Sequence, residues 1–235
     1  HNNQEIIAWH KEDKFWEKTK ADEVISKTKG QKEAKICNLE KKQFNQMPPF
    51  PFDLTSLQVE GYRCHGISPK EILEIGQELY TSGYISYPRT SSQQLPPAIG
   101  CMKVLNDLGK QKQYSDLAKK LLKKSSLKPN NGKKTDPAHP AIYPTGIVPA
   151  ELTERESKIY DLIVKRFLAT FADNAIRETM TADIGCSNEI FIAKGTRTIE
   201  KGWHEFYSPY VNLEEIELPS MKKDDKIKVS KIELI

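Results

Sequence analysis

Three prolines fall within four consecutive positions in the run Met47-Pro48-Pro49-Phe50-Pro51-Phe52. Each proline removes a backbone donor and fixes φ, so neither a helix nor an interior strand runs through the stretch. The run marks a domain junction, and the hydrophobic pattern differs on its two sides. Upstream, Glu5 to Lys11 reads as a short strand. A polar helix over Ala21 to Thr28 is stopped by Gly30, and a second strand covers Ala34 to Phe44. Downstream of Asp53 helices dominate. Ser68-Pro69-Lys70-Glu71 combines an N-cap serine, a proline at the first helical position and a glutamate at the third. Ile72, Ile75 and Leu79 follow at helical spacing, and Gly83 suits the C-terminal cap. Ala98 to Leu108 and Tyr114 to Leu122 are further helix candidates, and Ser125 to Lys134 is a polar loop. Thr153-Glu154-Arg155-Glu156 is a capping box that opens a helix with Ile159, Leu162, Ile163 and Phe167 on one face.

From Glu178 the pattern returns to short β segments, at Thr179 to Ile184, Glu189 to Ala193 and Lys226 to Leu234. The fold class is therefore α+β. A mainly helical domain over 53–172 is inserted into, or carried on, a β-rich domain built from two chain segments, 1–52 and 173–235. The start at His1 without methionine, and an end that reads as a strand still running, suggest cuts in a longer protein.

Basic and acidic residues nearly balance, 36 against 32, for a net charge of +4. That permits a polyanionic partner without requiring one. The lysines are uneven: Met102 to Lys134 holds ten lysines against two aspartates, a local net of +8. A solvated helix face and loop explain such a run equally well. No stretch approaches the ~18 apolar residues of a membrane span. No signal peptide is visible. Cys37, Cys64, Cys101 and Cys186 are far apart and form no CxxC pair, which argues against zinc and for a reduced, intracellular setting.

Two segments carry candidate chemistry. In Gly83-Tyr84-Ile85-Ser86-Tyr87-Pro88-Arg89-Thr90-Ser91-Ser92, Pro88 biases Tyr87 towards extended backbone. Residues two apart on an extended chain face the same way, which would set the Tyr87 phenol beside the Arg89 guanidinium. A guanidinium grips two phosphate oxygens at once. It also favours the phenolate of a group that otherwise ionises near pH ~10. Thr90, Ser91 and Ser92 add hydroxyl donors. On residues alone, a stacked surface Tyr–Arg pair is the commoner explanation, and Tyr84 reads as packing. In Asp136-Pro137-Ala138-His139-Pro140-Ala141-Ile142-Tyr143-Pro144-Thr145, three prolines stiffen a loop that presents one histidine. Such an imidazole can donate to a phosphate oxygen or move a proton, or it can simply bond to backbone.

Gly83 to Thr90 resembles the active-site signature of type IA DNA topoisomerases. His139-Pro140-Ala141-Ile142 with Pro144-Thr145 is similar to a second motif of that family, and Asp53-Leu54-Thr55-Ser56-Leu57-Gln58 to a third. The Tyr-Pro-Arg-Thr-Ser-Ser form resembles the archaeal and topoisomerase-III-like branches, with Ser91 where some bacterial members carry aspartate. The resemblance implies Tyr87 as a nucleophile that forms a 5′-phosphotyrosine, with strand passage and resealing that need no ATP. It implies Arg89 on the scissile phosphate, His139 close to it, and Thr90, Ser91 and Thr145 as lesser DNA contacts. The partner implied is DNA, a single-stranded segment preferred. The β-rich segments would belong to the arch of the family's toroid and act as its hinge. No DxDxE-type cluster occurs, so no cofactor is expected on this fragment. Magnesium and a key acid would come from a Toprim domain of the same polypeptide, and the fragment alone should be inactive. The setting implied is cytoplasmic and nucleoid-associated. The alternative is a non-catalytic single-stranded nucleic-acid-binding module of the same fold.

Overall fold

A computed structural model describes residues 5–234. The elements in chain order are β1 (Trp9–His10), α1 (Lys18–Thr28), β2 (Glu33–Gln46), α2 (Leu54–His65), α3 (Pro69–Thr81), a 3-10 turn (Pro97–Ile99), α4 (Cys101–Leu108), α5 (Ser115–Leu122), α6 (Glu154–Thr170), β3 (Ala175–Cys186), β4 (Glu189–Glu200), α7 (Trp203–Tyr207) and β5 (Lys226–Lys228). This is an α+β chain. Among the described residues it divides into two compact units, one of 5–45, 176–200 and 213–234, the other of 46–175 and 201–212.

The first unit is a five-stranded sheet of order β1-β4-β3-β2-β5. Its centre is the antiparallel β3–β4 hairpin, registered from Arg177↔Thr198 to Cys186↔Glu189. The two-residue turn puts Ser187 and Asn188 at φ 47° and 66°. Positive φ at both positions matches the right-handed twist of the flanking strands. Ala34, Ile36, Ala182, Ile184, Cys186, Ala193 and Met221 form its small core. The edge strands are shorter than the apolar pattern suggests. β1 exists only where Trp9 and His10 pair with Ile192 and Phe191, and β5 only opposite Glu33 to Lys35. A strand extends as far as its ladder does, and a hydrophobic pattern does not reveal where the neighbour ends.

The second unit is built around α6. The sequence shows one apolar face, but burial extends almost around the helix and includes Tyr160, Val164, Leu168 and Ala169 besides Ile159, Leu162, Ile163 and Phe167. A helix covered on all sides is a core helix. Its start is the expected capping box. The Thr153 hydroxyl accepts from the Glu156 N–H at 3.3 Å, and the Glu156 carboxylate accepts from the Thr153 N–H at 2.7 Å. Thr153→Ala is expected to lower unfolding free energy by about 1 kcal/mol, read as a shift of the urea midpoint at unchanged slope.

The helix expected over Ala98 to Leu108 is interrupted at Gly100, which sits at φ 70° and separates the 3-10 turn from α4. α2 begins at Asp53, whose side chain accepts from the Ser56 N–H while the Ser56 hydroxyl faces the Asp53 N–H. The division differs from the sequence reading in three stretches: 46–52, 173–175 and 201–212 belong to the helical unit, not to the β segments. The reason is packing. Phe52, Trp203, Phe206, Tyr207 and Tyr210 are buried in the helical core. The Trp203 indole donates to the Gln46 carbonyl at 3.1 Å. The Arg166 guanidinium on α6 lies 4.2 Å from the Phe52 ring centroid and 4.8 Å from that of Tyr207, cation–π contacts that tie both segments to the helix.

Candidate active site

The Tyr87 segment is aimed by the end of α3. The Gly83 N–H bonds to the Tyr80 carbonyl at 2.8 Å and the Tyr84 N–H to the Leu79 carbonyl at 2.9 Å, with Gly83 at φ 77°. This is a Schellman stop, and it turns the chain out of the helix at a fixed angle. The segment that follows is held by the His139 loop. Thr145 N–H donates to the Tyr84 carbonyl and Ser86 N–H to the Tyr143 carbonyl, both at 2.9 Å. The Ser86 hydroxyl accepts from the Tyr143 N–H at 3.0 Å. The far side of that loop pairs with Phe52 through Ile142 at 2.8 Å. Three segments remote in sequence thus lie side by side.

This arrangement brings Tyr87 and His139 together. Their ring centroids are 4.6 Å apart, tilted by 48°. Tyr80, from the last turn of α3, meets the Tyr87 ring edge-on at 5.1 Å. Tyr87 is half-buried between them, while Arg89 is exposed and forms no ion pair with any described residue. Its guanidinium is available to an outside anion.

The hydroxyls expected as DNA contacts divide. Thr90 is buried; its hydroxyl donates to the His139 carbonyl at 3.4 Å and accepts from the Ser92 N–H at 3.0 Å. The Thr145 hydroxyl donates to the Gly83 carbonyl at 2.7 Å. Both are committed to joining the segments, so their place is in the frame of the site. Ser91 is exposed, and its hydroxyl reaches the Thr135 carbonyl at 3.4 Å and the Asp136 carboxylate at 3.3 Å.

Two carboxylates that the sequence reading left without a role brace the Pro88–Leu95 stretch. Asp53 is buried and accepts from Ser56, from the Gln93 amide at 3.3 Å and from the Lys134 ammonium at 3.0 Å. Burial works to raise the pKa of its carboxyl. The Ser56 hydroxyl and N–H, with Lys134, outweigh that and leave it below the usual carboxylate range. Asp136 accepts from the Ala138 and His139 N–H groups at 2.9 and 3.0 Å, and from Ser91. Those backbone bonds, first Ala138 and then His139, hold its carboxyl below the ordinary range. Both carboxylates bind fewer protons folded than unfolded. Their contribution is full above the ordinary carboxylate pKa and is lost as pH falls through the lower folded value, so the frame is constant through neutral pH.

Four of the ten lysines of 102–134 are internally paired: Lys110 with Asp107, Lys120 with Glu205, Lys124 with Asp173 and Lys134 with Asp53. The remaining six have no ion pair among the described residues. Also among the described residues, no group of three or more His, Cys, Asp or Glu side chains could hold a metal ion. No helix of the described chain is long and apolar enough to cross a membrane.

The candidate site is thus the Tyr87 phenol tilted against the His139 imidazole on two hydrogen-bonded loops, with Arg89 exposed two residues on. The sequence profile of the DNA topoisomerase family matches residues 1–235. The chain is 43% identical to DNA topoisomerase 1 of Pyrococcus horikoshii over 98% of its length and 34% of that protein's. It is 46% identical to DNA topoisomerase 1 of Methanocaldococcus jannaschii, over 97% of this chain and 30% of that protein. Full-length topoisomerase I from Thermotoga maritima shares the fold, with a TM-score of 0.66 at 23% identity, covering 94% of this chain and 36% of that one. The chain belongs to the type IA DNA topoisomerase family, and it spans about a third of the length of the relatives it matches.

Proposed function

We propose that this chain supplies the nucleophile of a type IA topoisomerase, which cuts and reseals one DNA strand through Tyr87. The observation that carries the reading is the Tyr87 ring packed on His139 with an unpaired Arg89 two residues on. The Tyr87 Oη attacks a backbone phosphorus. The new O–P bond replaces the P–O3′ bond; the phenol gives up its proton as it attacks, and the 3′ oxygen takes one up as it leaves as a hydroxyl. The product is a 5′-phosphotyrosine. Resealing is the same exchange reversed, with the 3′-hydroxyl attacking and the phenol leaving. One ester replaces another, so the bond energy is conserved and no ATP is consumed. Arg89 grips the non-bridging oxygens and offsets the charge that grows on them. His139 donates to the same phosphate, and Ser91 contributes a lesser contact at the exposed edge. Thr90 and Thr145 keep the two loops in register.

The relatives named DNA topoisomerase 1 are about three times as long as this chain. The magnesium, and the acid that protonates the 3′ oxygen, are assigned to a Toprim domain elsewhere in the same polypeptide. The substrate is DNA, cut in a single-stranded segment, which places the parent protein on the nucleoid in the cytoplasm.

The test is covalent trapping on single-stranded DNA labelled at one end or the other, quenched by denaturant, using a polypeptide with a Toprim domain and this chain alone. The expected result is an adduct that retains only the label downstream of the break, formed by the longer polypeptide and not by this chain alone. An adduct that retains the upstream label would overturn the 5′ polarity. Tight binding without any adduct from the longer polypeptide would instead identify a single-strand binding module.

A further inference from the structure

The Asp136 side chain grips both the Arg89 segment and the His139 loop. One carboxylate oxygen accepts two consecutive backbone donors of the loop, Ala138 N–H at 2.9 Å and His139 N–H at 3.0 Å. The other accepts from Ser91, two residues past Arg89, through the hydroxyl at 3.3 Å and the N–H at 3.5 Å. A local turn needs only the first oxygen. The second makes the turn a bridge between the segment after Arg89 and the loop whose His139 ring lies 4.6 Å from that of Tyr87.

The charge of this group is the puzzling part. A carboxylate bonded to Ser91, two residues past an arginine that must hold phosphate, opposes the binding of a polyanion. A serine or threonine could cap the same turn without that penalty. An ionised carboxylate, however, accepts at both oxygens and bonds more strongly to each N–H than a neutral group does. The placement therefore favours geometry at the expense of affinity.

We propose that Asp136 is a positioning residue for strand cleavage: its carboxylate locks the His139 loop to the Arg89–Ser91 segment and so sets the His139 imidazole against Tyr87. The inference rests on the reading of Tyr87 as nucleophile. It carries a signature that a purely structural brace lacks, because removing the charge should leave DNA binding equal or tighter while the chemical step slows.

The test has two arms, each with Asp136→Ala, Asp136→Asn and the exchange pair Asp136→Ser with Ser91→Asp. In the first arm, proton NMR of this chain reads the nuclear Overhauser contacts between the Tyr87 and His139 rings. In the second, the Toprim-containing polypeptide is assayed separately for affinity to single-stranded DNA and for the rate of adduct formation. A misplacement of about 1 Å costs on the order of 10²-fold in rate, so Asp136→Ala should slow adduct formation by about that factor. Affinity should be unchanged or higher. Asp136→Asn should be slowed less, because it keeps an acceptor for the loop N–H groups. The exchange pair rebuilds the bridge from its other side and should restore the ring contacts between Tyr87 and His139.

Ring contacts and adduct rate both unchanged in Asp136→Ala would overturn the proposal, and so would affinity falling in parallel with rate. Should Asp136→Ala fail to fold, Asp136→Asn and the exchange pair still give the same comparison. Should Tyr87→Phe still form adducts, the nucleophile assignment fails, and the NMR arm decides the positioning role by itself.

Discussion

Tyr87→Phe in the Toprim-containing polypeptide should lose the covalent adduct altogether, a fall in cleavage rate on the order of 10⁴-fold or more. The fold should not notice. Phenylalanine keeps the ring that meets Tyr80 at 5.1 Å and His139 at 4.6 Å, and no hydrogen bond of the Tyr87 hydroxyl to a described residue is recorded. A half-buried ring that loses only an oxygen costs at most about 0.5 kcal/mol of stability. Single-stranded DNA should still bind, since Arg89 and the free lysines are untouched. Tyr84→Phe is the internal control. The Tyr84 hydroxyl accepts from the Ala150 N–H at 3.3 Å, and its ring faces Tyr160, so it packs the base of the segment and its variant should still form the adduct. Adduct retained in Tyr87→Phe and lost in Tyr84→Phe would transfer the nucleophile to the wrong side of Ile85 and end the present reading.

What the sequence made legible was local, and the site shows why. The Gly83 stop, the Ser68 and Thr153 caps and the proline-stiffened His139 loop each rest on residues within about five positions of each other, where backbone chemistry alone decides. The proximity of Tyr87 to His139 is not of that kind: 52 positions separate them, and tertiary contacts such as the pairing of 141–145 with 84–86 and with Phe52 bring them together. Resemblance to a family named both residues; spacing alone left each a surface side chain. Asp136 was legible in part. An aspartate two and three residues before free N–H groups is a turn signal, but its reach to Ser91 depends on tertiary structure. Thr90 and Thr145 show the converse. A hydroxyl beside the Tyr87 motif suggests a ligand contact, and only the tertiary structure reveals the carbonyl each one bonds to, His139 for Thr90 and Gly83 for Thr145. The short helix α7 was missed because five residues are too few to display a period.

That missed segment should be the most sensitive place in the helical unit, and Gly202→Ala should expose it. Gly202 has φ 48° and ψ −127°. A Cβ there would lie 2.2 Å from the Asn174 carbonyl oxygen, 2.5 Å from its carbon and 2.7 Å from the Ala175 nitrogen. All three are backbone atoms of the chain leaving α6, so no rotamer change relieves the overlap. The backbone conformation alone costs about 1–3 kcal/mol for a residue with a side chain. Moving α7 away instead would withdraw Trp203, Phe206 and Tyr207 from the core. Each such ring contributes roughly 1.5–3 kcal/mol. It would also break the bonds from Trp203 to the Asp173 and Gln46 carbonyls. Backbone strain together with partial loss of this packing predicts a loss of about 4 kcal/mol, at the upper end for a single substitution. Urea unfolding followed by tryptophan emission measures it, and a loss below about 1 kcal/mol would show that the crossing of 202 over 174 is looser than drawn. The two substitutions should act on activity in opposite ways. Gly202→Ala should lower adduct yield only in proportion to the fraction unfolded, leaving the rate per folded molecule near wild type, because no atom it displaces belongs to the frame around Tyr87. Tyr87→Phe should do the reverse, and a protein that showed both losses together would have its active site and its core coupled through Phe52, which lies under the Arg166 guanidinium on one side and pairs with Ile142 on the other.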